Sequence, residues 1–235
     1  MVDQVNLDFA ALYSGFASPI AELNCGARCA PYNVRGVPFC CDLHHTVPTA
    51  YQAEWEYLRA NTNLWHKLEE TDPSKAEHLR PDTPEGHILI ACLGHRACQR
   101  GFRSLTCRAF PFFPYINRQG EFIGLSYYWE YEDHCWVISN LQAVTPAYLA
   151  QFIATYDVLF DWMPEEKENF HYHSRLMRQT FGRKHRAIPL LHRNGFAYKI
   201  TPHHGRMRRV AVEKMPKFGF YRIAARLPFP DEVEK

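Results

Sequence analysis

Cys25-Gly-Ala-Arg-Cys29, followed ten residues later by Cys40-Cys41, is the stretch around which we expect the front of this chain to fold. Thiolates this close together repel one another unless a positive charge lies among them, and in a reducing compartment that charge is usually a metal ion or an iron–sulfur cluster. An adjacent cysteine pair is hard to explain as packing, because neighbouring side chains point in different directions. The stretch therefore predicts metal binding before it predicts any reaction.

A second cysteine group lies further along the chain. It reads Cys92-Leu-Gly-His-Arg-Ala-Cys98, eight residues, and then Cys107-Arg-Ala-Phe-Pro, with Cys135 alone after it. Eight thiols are enough for two four-ligand sites, or for one cluster with spare thiols in the core. Cys135, in an aromatic neighbourhood, fits equally well as a small buried apolar residue. The candidate metal ligands are Cys25, Cys29, Cys40, Cys41, Cys92, Cys98, Cys107 and Cys135.

Histidines widen the choice of ligands only slightly. His44 and His45 follow the cysteine pair, and His95 lies between Cys92 and Cys98. Imidazole is a common zinc ligand, but a lone histidine is more often an ordinary surface or core residue than a ligand. We therefore expect the thiols, rather than the imidazoles, to dominate the site.

The N-terminus bears on the redox state of these thiols. It begins Met-Val-Asp-Gln-Val-Asn-Leu-Asp, without a basic segment or a long apolar segment, so we expect a cytoplasmic, unexported protein. In that compartment eight cysteines favour metal binding or catalysis over disulfides, and a bridge between Cys40 and Cys41 would be strained. No apolar run approaches the length needed to span a bilayer, so no membrane partner is predicted.

Composition and periodicity predict an α+β fold, with helices packed around a loop-rich cysteine/metal site and a small antiparallel sheet. The 235 residues are 46% apolar and 14% aromatic, which is typical of an ordered globular chain. We expect a cysteine-cluster metal-binding region over residues 1–140. A basic helical and hairpin region over residues 141–235 is expected to pack on it as one compact unit.

Local signals place the expected elements. Helices are predicted over 49–68 with Thr49 as its cap, from Thr145-Pro146 to Trp162, and over 165–181 with Gly182 as the stop. Two strands are predicted between 121 and 139, on either side of Glu-Asp-His. A hairpin is predicted from strands at 196–200 and 207–213.

Charge is unevenly distributed along the chain. Residues 171–226 hold fourteen Lys or Arg and a single acid, which leaves thirteen basic and twenty-four acidic residues elsewhere. The simpler interpretation is that the two parts attract each other, or that the basic face is merely solvated. The sharper interpretation is a site for an anionic partner, which would be a nucleic acid, a nucleotide or an acidic protein. Charge asymmetry alone predicts association and not chemistry.

The order of the cysteines resembles that of a known family. Two cysteines, a Cys-Cys pair and a later C-x5-C-x8-C-R-x-F-P are similar to the CxxCxxCC-type proteins of bacteria and archaea, described as zinc- or iron-chelating cysteine-cluster proteins. The flagellin lysine N-methylases, thought to hold an iron–sulfur cluster, are more distantly similar. The resemblance covers residues 25–111, with Cys135 as a late cysteine. It implies that the eight cysteines bind metal and that Arg108 is a charge beside the thiolates.

These observations favour an iron–sulfur protein with a [4Fe–4S] cluster. The cluster would move electrons, or would help to modify a protein or nucleic acid partner held on the basic part. An open iron would also accommodate S-adenosylmethionine, although Tyr32 stands where the C-x3-C-x2-C motif of radical enzymes needs its third cysteine. The alternative is a non-catalytic zinc-binding module with a basic partner-binding surface. A Cys–His thiol enzyme fits less well, because a nucleophilic thiol normally works alone beside one base. No catalytic residue is assigned.

Overall fold

The computed structural model describes residues 7–224 and confirms an α+β fold. The acidic start of the chain, residues 1–6, lies outside the described residues. So do residues 225–235, which include the last two positions of the basic segment 171–226. Within residues 7–224, none of the helices is both long and apolar enough to cross a membrane.

The front of the chain consists of short elements joined by loops. Its strands form a three-stranded antiparallel sheet in the order β1-β3-β2, in which Thr49 pairs with Leu89 and Trp65 pairs with Cys92. The strands are β1 (Thr49–Tyr51), β2 (Trp65–Lys67) and β3 (His87–Cys92). The helices are α1 (Phe9–Gly15), α2 (Cys25–Cys29), α3 (Gln52–Asn61), α4 (Leu68–Thr71), α5 (Pro73–Leu79) and α6 (Leu105–Ala109).

The helix predicted over residues 49–68 is wrong in its extent. Within this range the structure has the helix α3, with the short strands β1 and β2 before and after it, and α4 begins only at Leu68. Thr49 lies in β1, and Tyr51 takes the capping position. Both strands pair with β3, which lies more than twenty residues further along the chain, so this tertiary pairing overrides the local helical pattern.

The rest of the chain builds a larger sheet backed by two long helices. Five antiparallel strands follow the order β4-β5-β6-β7-β8, so the structure has two sheets where the sequence predicts one. The strands are β4 (Phe112–Ile116), β5 (Phe122–Tyr127), β6 (Ile188–His192), β7 (Ala197–Ile200) and β8 (Met207–Val210). The helices are α7 (Pro146–Trp162), α8 (Pro164–Arg183) and the short α9 (Tyr221–Ala224).

Several local predictions in this part are confirmed. Thr145 caps α7 by accepting the Tyr148 N–H at 3.1 Å, and Pro146 occupies the first turn. The strands β7 and β8 form the predicted hairpin. Two details differ: residues 135–139 form turns rather than a strand, and α8 continues through Gly182 to Arg183.

A glycine permits the close approach of the two halves of the larger sheet. Gly124 in β5 pairs with His192 in β6 and has a φ of 153°, which side chains rarely allow. A Cβ atom at this position would collide with the carbonyl oxygen of Leu191. The sheet thereby joins strands from both sides of residue 140; the division into two regions at that residue stays a prediction.

A buried carboxylate ties the small elements of the front together. Glu54, on α3, is fully buried, and its Oε1 accepts both the Tyr13 hydroxyl and the Leu105 N–H at 2.6 Å. Its Oε2 accepts the Tyr51 N–H at 3.3 Å. One side chain therefore links α1, β1, α3 and α6, and α6 carries one of the candidate ligands, Cys107.

Replacing Glu54→Ala should lower the free energy of unfolding by about 3–5 kcal/mol, because it leaves the buried Tyr13 hydroxyl and Leu105 N–H without their acceptor. Glu56→Ala is the matched control on the same helix. Its carboxylate contacts two exposed side chains of the same helix, Arg59 and Gln52, so the loss should stay below about 1 kcal/mol. Urea denaturation followed by circular dichroism measures both. Equal losses would show that Glu54 is not the link described here.

Candidate metal centre

The eight candidate ligands lie on short helices, turns and a strand end. Cys25 and Cys29 begin and end α2, one turn apart, so they share a face of that helix. The Cys40-Cys41 pair ends a 3₁₀ turn, and Cys92 is the last residue of β3. The remaining three are Cys98, after a 3₁₀ turn, Cys107 in α6, and Cys135 in a turn. All eight thiols are free.

The loop between Cys29 and Cys41 is held by side-chain hydrogen bonds. Asn33 is buried and donates from Nδ2 to the carbonyl of Val37 at 2.9 Å and to Oδ2 of Asp42 at 3.0 Å. Asp42, also buried, accepts the His44 N–H at 3.0 Å. These bonds replace the missing regular structure and fix the position of the cysteine pair.

The segment around Cys107 is fixed by a cap and a buried arginine. Ser104 caps α6 by accepting the Cys107 N–H at 3.2 Å. Arg108 is 3% exposed and donates to the carbonyls of Gly101 at 2.6 Å and Arg103 at 2.8 Å. It also reaches the end of α1, as a donor to the carbonyl of Phe16.

The thiols act on each other electrostatically as one connected group. The Sγ atoms of Cys40 and Cys41 lie 3.8 Å apart, within hydrogen-bonding reach for sulfur. This bond raises the pKa of Cys40 well above its ordinary value and lowers that of Cys41. The charges of Cys107 and Cys135 also raise the pKa of Cys40.

Cys41 is the member that links the two cysteine groups. Its charge raises the pKa of Cys25 and Cys29 on one side, and of Cys92 and Cys107 on the other. The charge of Cys98 likewise raises the pKa of Cys92 and Cys107. The charges of Cys25 and Cys29 raise the pKa of Cys135. Thiols from distant parts of the sequence therefore share one electrostatic environment.

Burial is the main cause of the raised thiol pKa values. It raises the pKa of Cys29 to about 11 and that of Cys107 to about 12. The pKa values of Cys25, Cys92 and Cys135 are raised for the same reason. At neutral pH these thiols therefore stay protonated, whereas a bound metal would favour their thiolate forms.

Arg103 is a cation that acts on three of these thiols. Its positive charge lowers the pKa of Cys25, Cys41 and Cys107, against the larger opposing effect of burial on Cys25 and Cys107. The Nε of Arg103 is buried and has no hydrogen-bond partner in the described part of the chain. Arg108, the arginine expected beside the thiolates, also interacts electrostatically with Cys107, while its nitrogens donate to backbone carbonyls.

The cysteine thiols affect one another electrostatically, but they do not form a metal-chelating arrangement among the described residues. Among residues 7–224, no three His, Cys, Asp or Glu side chains are arranged so that they could hold a metal ion. His45 packs instead on the Phe39 ring at 5.0 Å, and that ring also stacks on His134 at 4.6 Å. These rings line a cavity of about 570 Å³ beside the Cys29–Cys41 loop.

The basic segment pairs partly with the acidic remainder of the protein. Arg186 makes a two-pronged contact with Glu132, at 2.8 and 2.5 Å, and Arg193 lies 2.7 Å from Asp157. Both carboxylates precede residue 171, so the simpler interpretation of the charge asymmetry accounts for these two arginines. It does not account for the unpaired arginines described below.

In metal-free, reduced protein, Cys41 should react with iodoacetamide at a lower pH than Cys29 or Cys107, because its pKa is lowered and theirs are raised. Arg103→Met should shift the labelling of Cys41 to higher pH, because it removes the nearby positive charge. Mass spectrometry of labelled peptides across a pH series measures both. Arg100→Met, which removes an exposed arginine from the same loop, should leave the Cys41 profile unchanged. Identical pH profiles of labelling for Cys41 and Cys107 would contradict the expected difference between their pKa values.

Comparison with known proteins adds no relative. No family model, no curated protein and no solved structure matches this chain. The resemblance to the CxxCxxCC-type proteins therefore continues to rest on the residues quoted for it.

Proposed function

We propose that this chain is an iron–sulfur protein whose cysteine thiols bind the metal centre, with a [4Fe–4S] cluster as the favoured form. The observation that supports the proposal is the electrostatic influence of Cys41, whose Sγ lies 3.8 Å from that of Cys40, on thiols of both cysteine groups. So many thiols in one environment repel each other as thiolates and gain little as buried protonated groups. A metal centre removes both disadvantages.

The donor set suits such a centre. The charges that act most on the thiols are those of other thiols and of Arg103, which describes an all-sulfur environment. Iron–sulfur clusters require thiolates, and hydrogen bonds to the sulfurs tune them. The buried Nε–H of Arg103, which has no acceptor among the described residues, is a donor of the kind that a cluster sulfur would accept.

The chain's own residues would have distinct roles in this site. A [4Fe–4S] cluster takes four thiolates, so the eight cysteines would supply the ligands of two centres, or of one centre with the remaining thiols in the core. The candidate ligands are Cys25, Cys29, Cys40, Cys41, Cys92, Cys98, Cys107 and Cys135. Arg103 would offset the negative charge of the thiolates. When bound, a cluster of this type supplies one-electron chemistry, or an open iron for a substrate. The redox or modifying role, and a partner on the basic segment, are part of the same proposal.

Zinc is the alternative occupant of the same thiols, because zinc also takes four-thiolate sites. In that case the protein would be a binding module whose loops the metal stabilises, without redox chemistry. Iron is favoured by the similarity to the flagellin lysine N-methylases in the order of the cysteines. The two alternatives predict different colours, since zinc sites are colourless and iron–sulfur proteins are brown.

Protein purified without air should contain iron and acid-labile sulfide in about equal molar amounts and absorb broadly in the violet. Cys40→Ser, Cys41→Ser and Cys107→Ser should each lose most of the iron and become less soluble, because the ligands and the folding free energy of the metal are lost together. Elemental analysis, sulfide determination and visible spectra measure these changes.

Thr106→Ser is the matched control, since it lies beside Cys107 in α6 and keeps the hydroxyl that donates to the carbonyl of Thr49. It should retain the iron. Colourless protein with stoichiometric zinc would replace the iron proposal by the zinc alternative. Stable, folded protein without any metal after anaerobic purification would overturn both.

A further inference from the structure

A basic cavity of about 850 Å³ lies far along the chain from the cysteine groups. Four arginines line it from two directions. Arg175, Arg178 and Arg183 come from the second half of α8, and Arg118 comes from the turn between β4 and β5. Arg118 lies outside the basic segment 171–226, so the fold adds a charge that the sequence pattern does not include.

These arginines have no carboxylate to offset them. None of the residues lining the cavity is acidic, and none of the four arginines forms an ion pair within the described residues. Arg186 and Arg193, from the same basic segment, do pair with carboxylates elsewhere. Attraction between the two parts of the protein therefore explains those two residues and leaves the cavity arginines unexplained. Like charges brought together in a concave site favour the binding of an anion.

Two of the arginines are positioned in advance by the protein. Arg178 is 8% exposed, and its Nη1 donates to the carbonyl of Ile116 at 2.7 Å. Arg118 donates from Nη2 to the carbonyl of Pro202 at 2.9 Å. Each contact uses one nitrogen of the guanidinium and leaves others available. Arginine held in this way is well suited to two-pronged contacts with phosphate oxygens.

Histidines complete the lining. His171 and His185 lie along and just after α8, and His203 comes from the turn between β7 and β8. The His203 ring lies against Gly182, where a Cβ atom would stand 3.0 Å from its Cε1. Glycine is unfavourable inside a helix, so its presence in the last turn of α8 is explained by the room it leaves for this imidazole. Of the three, His171 also lies 3.9 Å from Glu168.

We propose that this cavity binds a small ligand that carries two or more linked phosphate groups. A phosphate monoester has a charge of about −1.5 to −2 near neutral pH, so one phosphate would offset only about half of the four guanidinium charges. The cavity volume falls within the range of about 300–1,000 Å³ that is typical of small-molecule sites. A ligand with two or more linked phosphates matches both the positive charge and the volume of the cavity.

The lining favours a small polyphosphate over a nucleic acid strand. Strand-binding surfaces combine an extended basic groove with exposed aromatic rings on which bases stack. Here the arginines converge on one cavity, and its lining includes no Phe, Tyr or Trp. Two exposed rings nearby, Phe196 and Tyr172, are not among the lining residues and already stack on Arg209 at 3.3 Å and on Arg175 at 5.0 Å. The phosphates are therefore the feature that the cavity recognises.

Calorimetric titration of the full-length protein with inorganic tripolyphosphate and with inorganic phosphate tests the proposal. Tripolyphosphate should bind at least about tenfold more tightly than phosphate at the same ionic strength, because it contacts several guanidinium groups together. The double variant Arg175→Gln/Arg183→Gln should weaken tripolyphosphate binding by about tenfold or more. Both side chains are exposed, so the fold should be retained, and circular dichroism checks this. The metal content of the protein should be the same before and after titration, which would show that tripolyphosphate does not remove metal from it.

Arg208→Gln/Arg209→Gln is the matched control, because it removes the same charge from exposed positions on β8 outside the cavity. It should change the affinity by less than about twofold. Equal weakening in the two double variants would overturn the proposal, since binding would then follow net charge alone. No detectable binding at about 1 mM tripolyphosphate would also overturn it. So would cavity-dependent binding of an oligonucleotide that tripolyphosphate does not displace.

Discussion

The buried guanidinium of Arg108 is the interaction on which the front half of the protein depends. Its three nitrogens donate to carbonyls at the end of α1 and in the loop before α6, including those of Gly101 and Arg103. Its charge also lies 4.3 Å from the centre of the Tyr13 ring. A single side chain thereby satisfies backbone groups that no helix or strand could satisfy, and it fixes the position of its neighbour Cys107.

The cysteine-bearing elements cannot be stable by themselves. Helices of five residues, such as α2 and α6, lack the length at which helical hydrogen bonding outweighs the cost of nucleation. Their positions instead come from buried polar contacts, made by Glu54 and Arg108 around α6 and by Asn33 in the Cys29–Cys41 loop. Such a region gains much from any ion that joins its thiols, because the ion acts across segments that are otherwise weakly connected.

Features that depend on contacts between residues close in sequence could be predicted, whereas features that depend on contacts between distant segments could not. The start of α7 is a local matter of Thr145 and Pro146, and the β7–β8 hairpin is a local pairing, so both were predicted correctly. The three-residue strands β1 and β2 exist only through their pairing with a distant strand, which the local helical pattern did not reveal. The charge expected at Arg108 does interact with Cys107, but the sequence did not reveal that Arg103 acts on Cys25, Cys41 and Cys107 as well, because only the fold brings that residue within reach of both cysteine groups. The signal for Arg103 was its place four residues before Cys107, one of several equivalent basic positions in that loop.

An ion pair joins the candidate metal centre to the end of α8, which lines the basic cavity. Glu132 lies three residues before Cys135, and Arg186 lies three residues after Arg183 in the cavity lining. Their two-pronged ion pair joins the turn that carries a candidate ligand to the end of α8, and the Tyr127 hydroxyl donates to the same carboxylate at 3.0 Å. The hydrogen bond to Glu132 raises the pKa of Arg186, so this link stays charged. This ion pair therefore connects the turn that carries Cys135 to the end of α8 at the basic cavity.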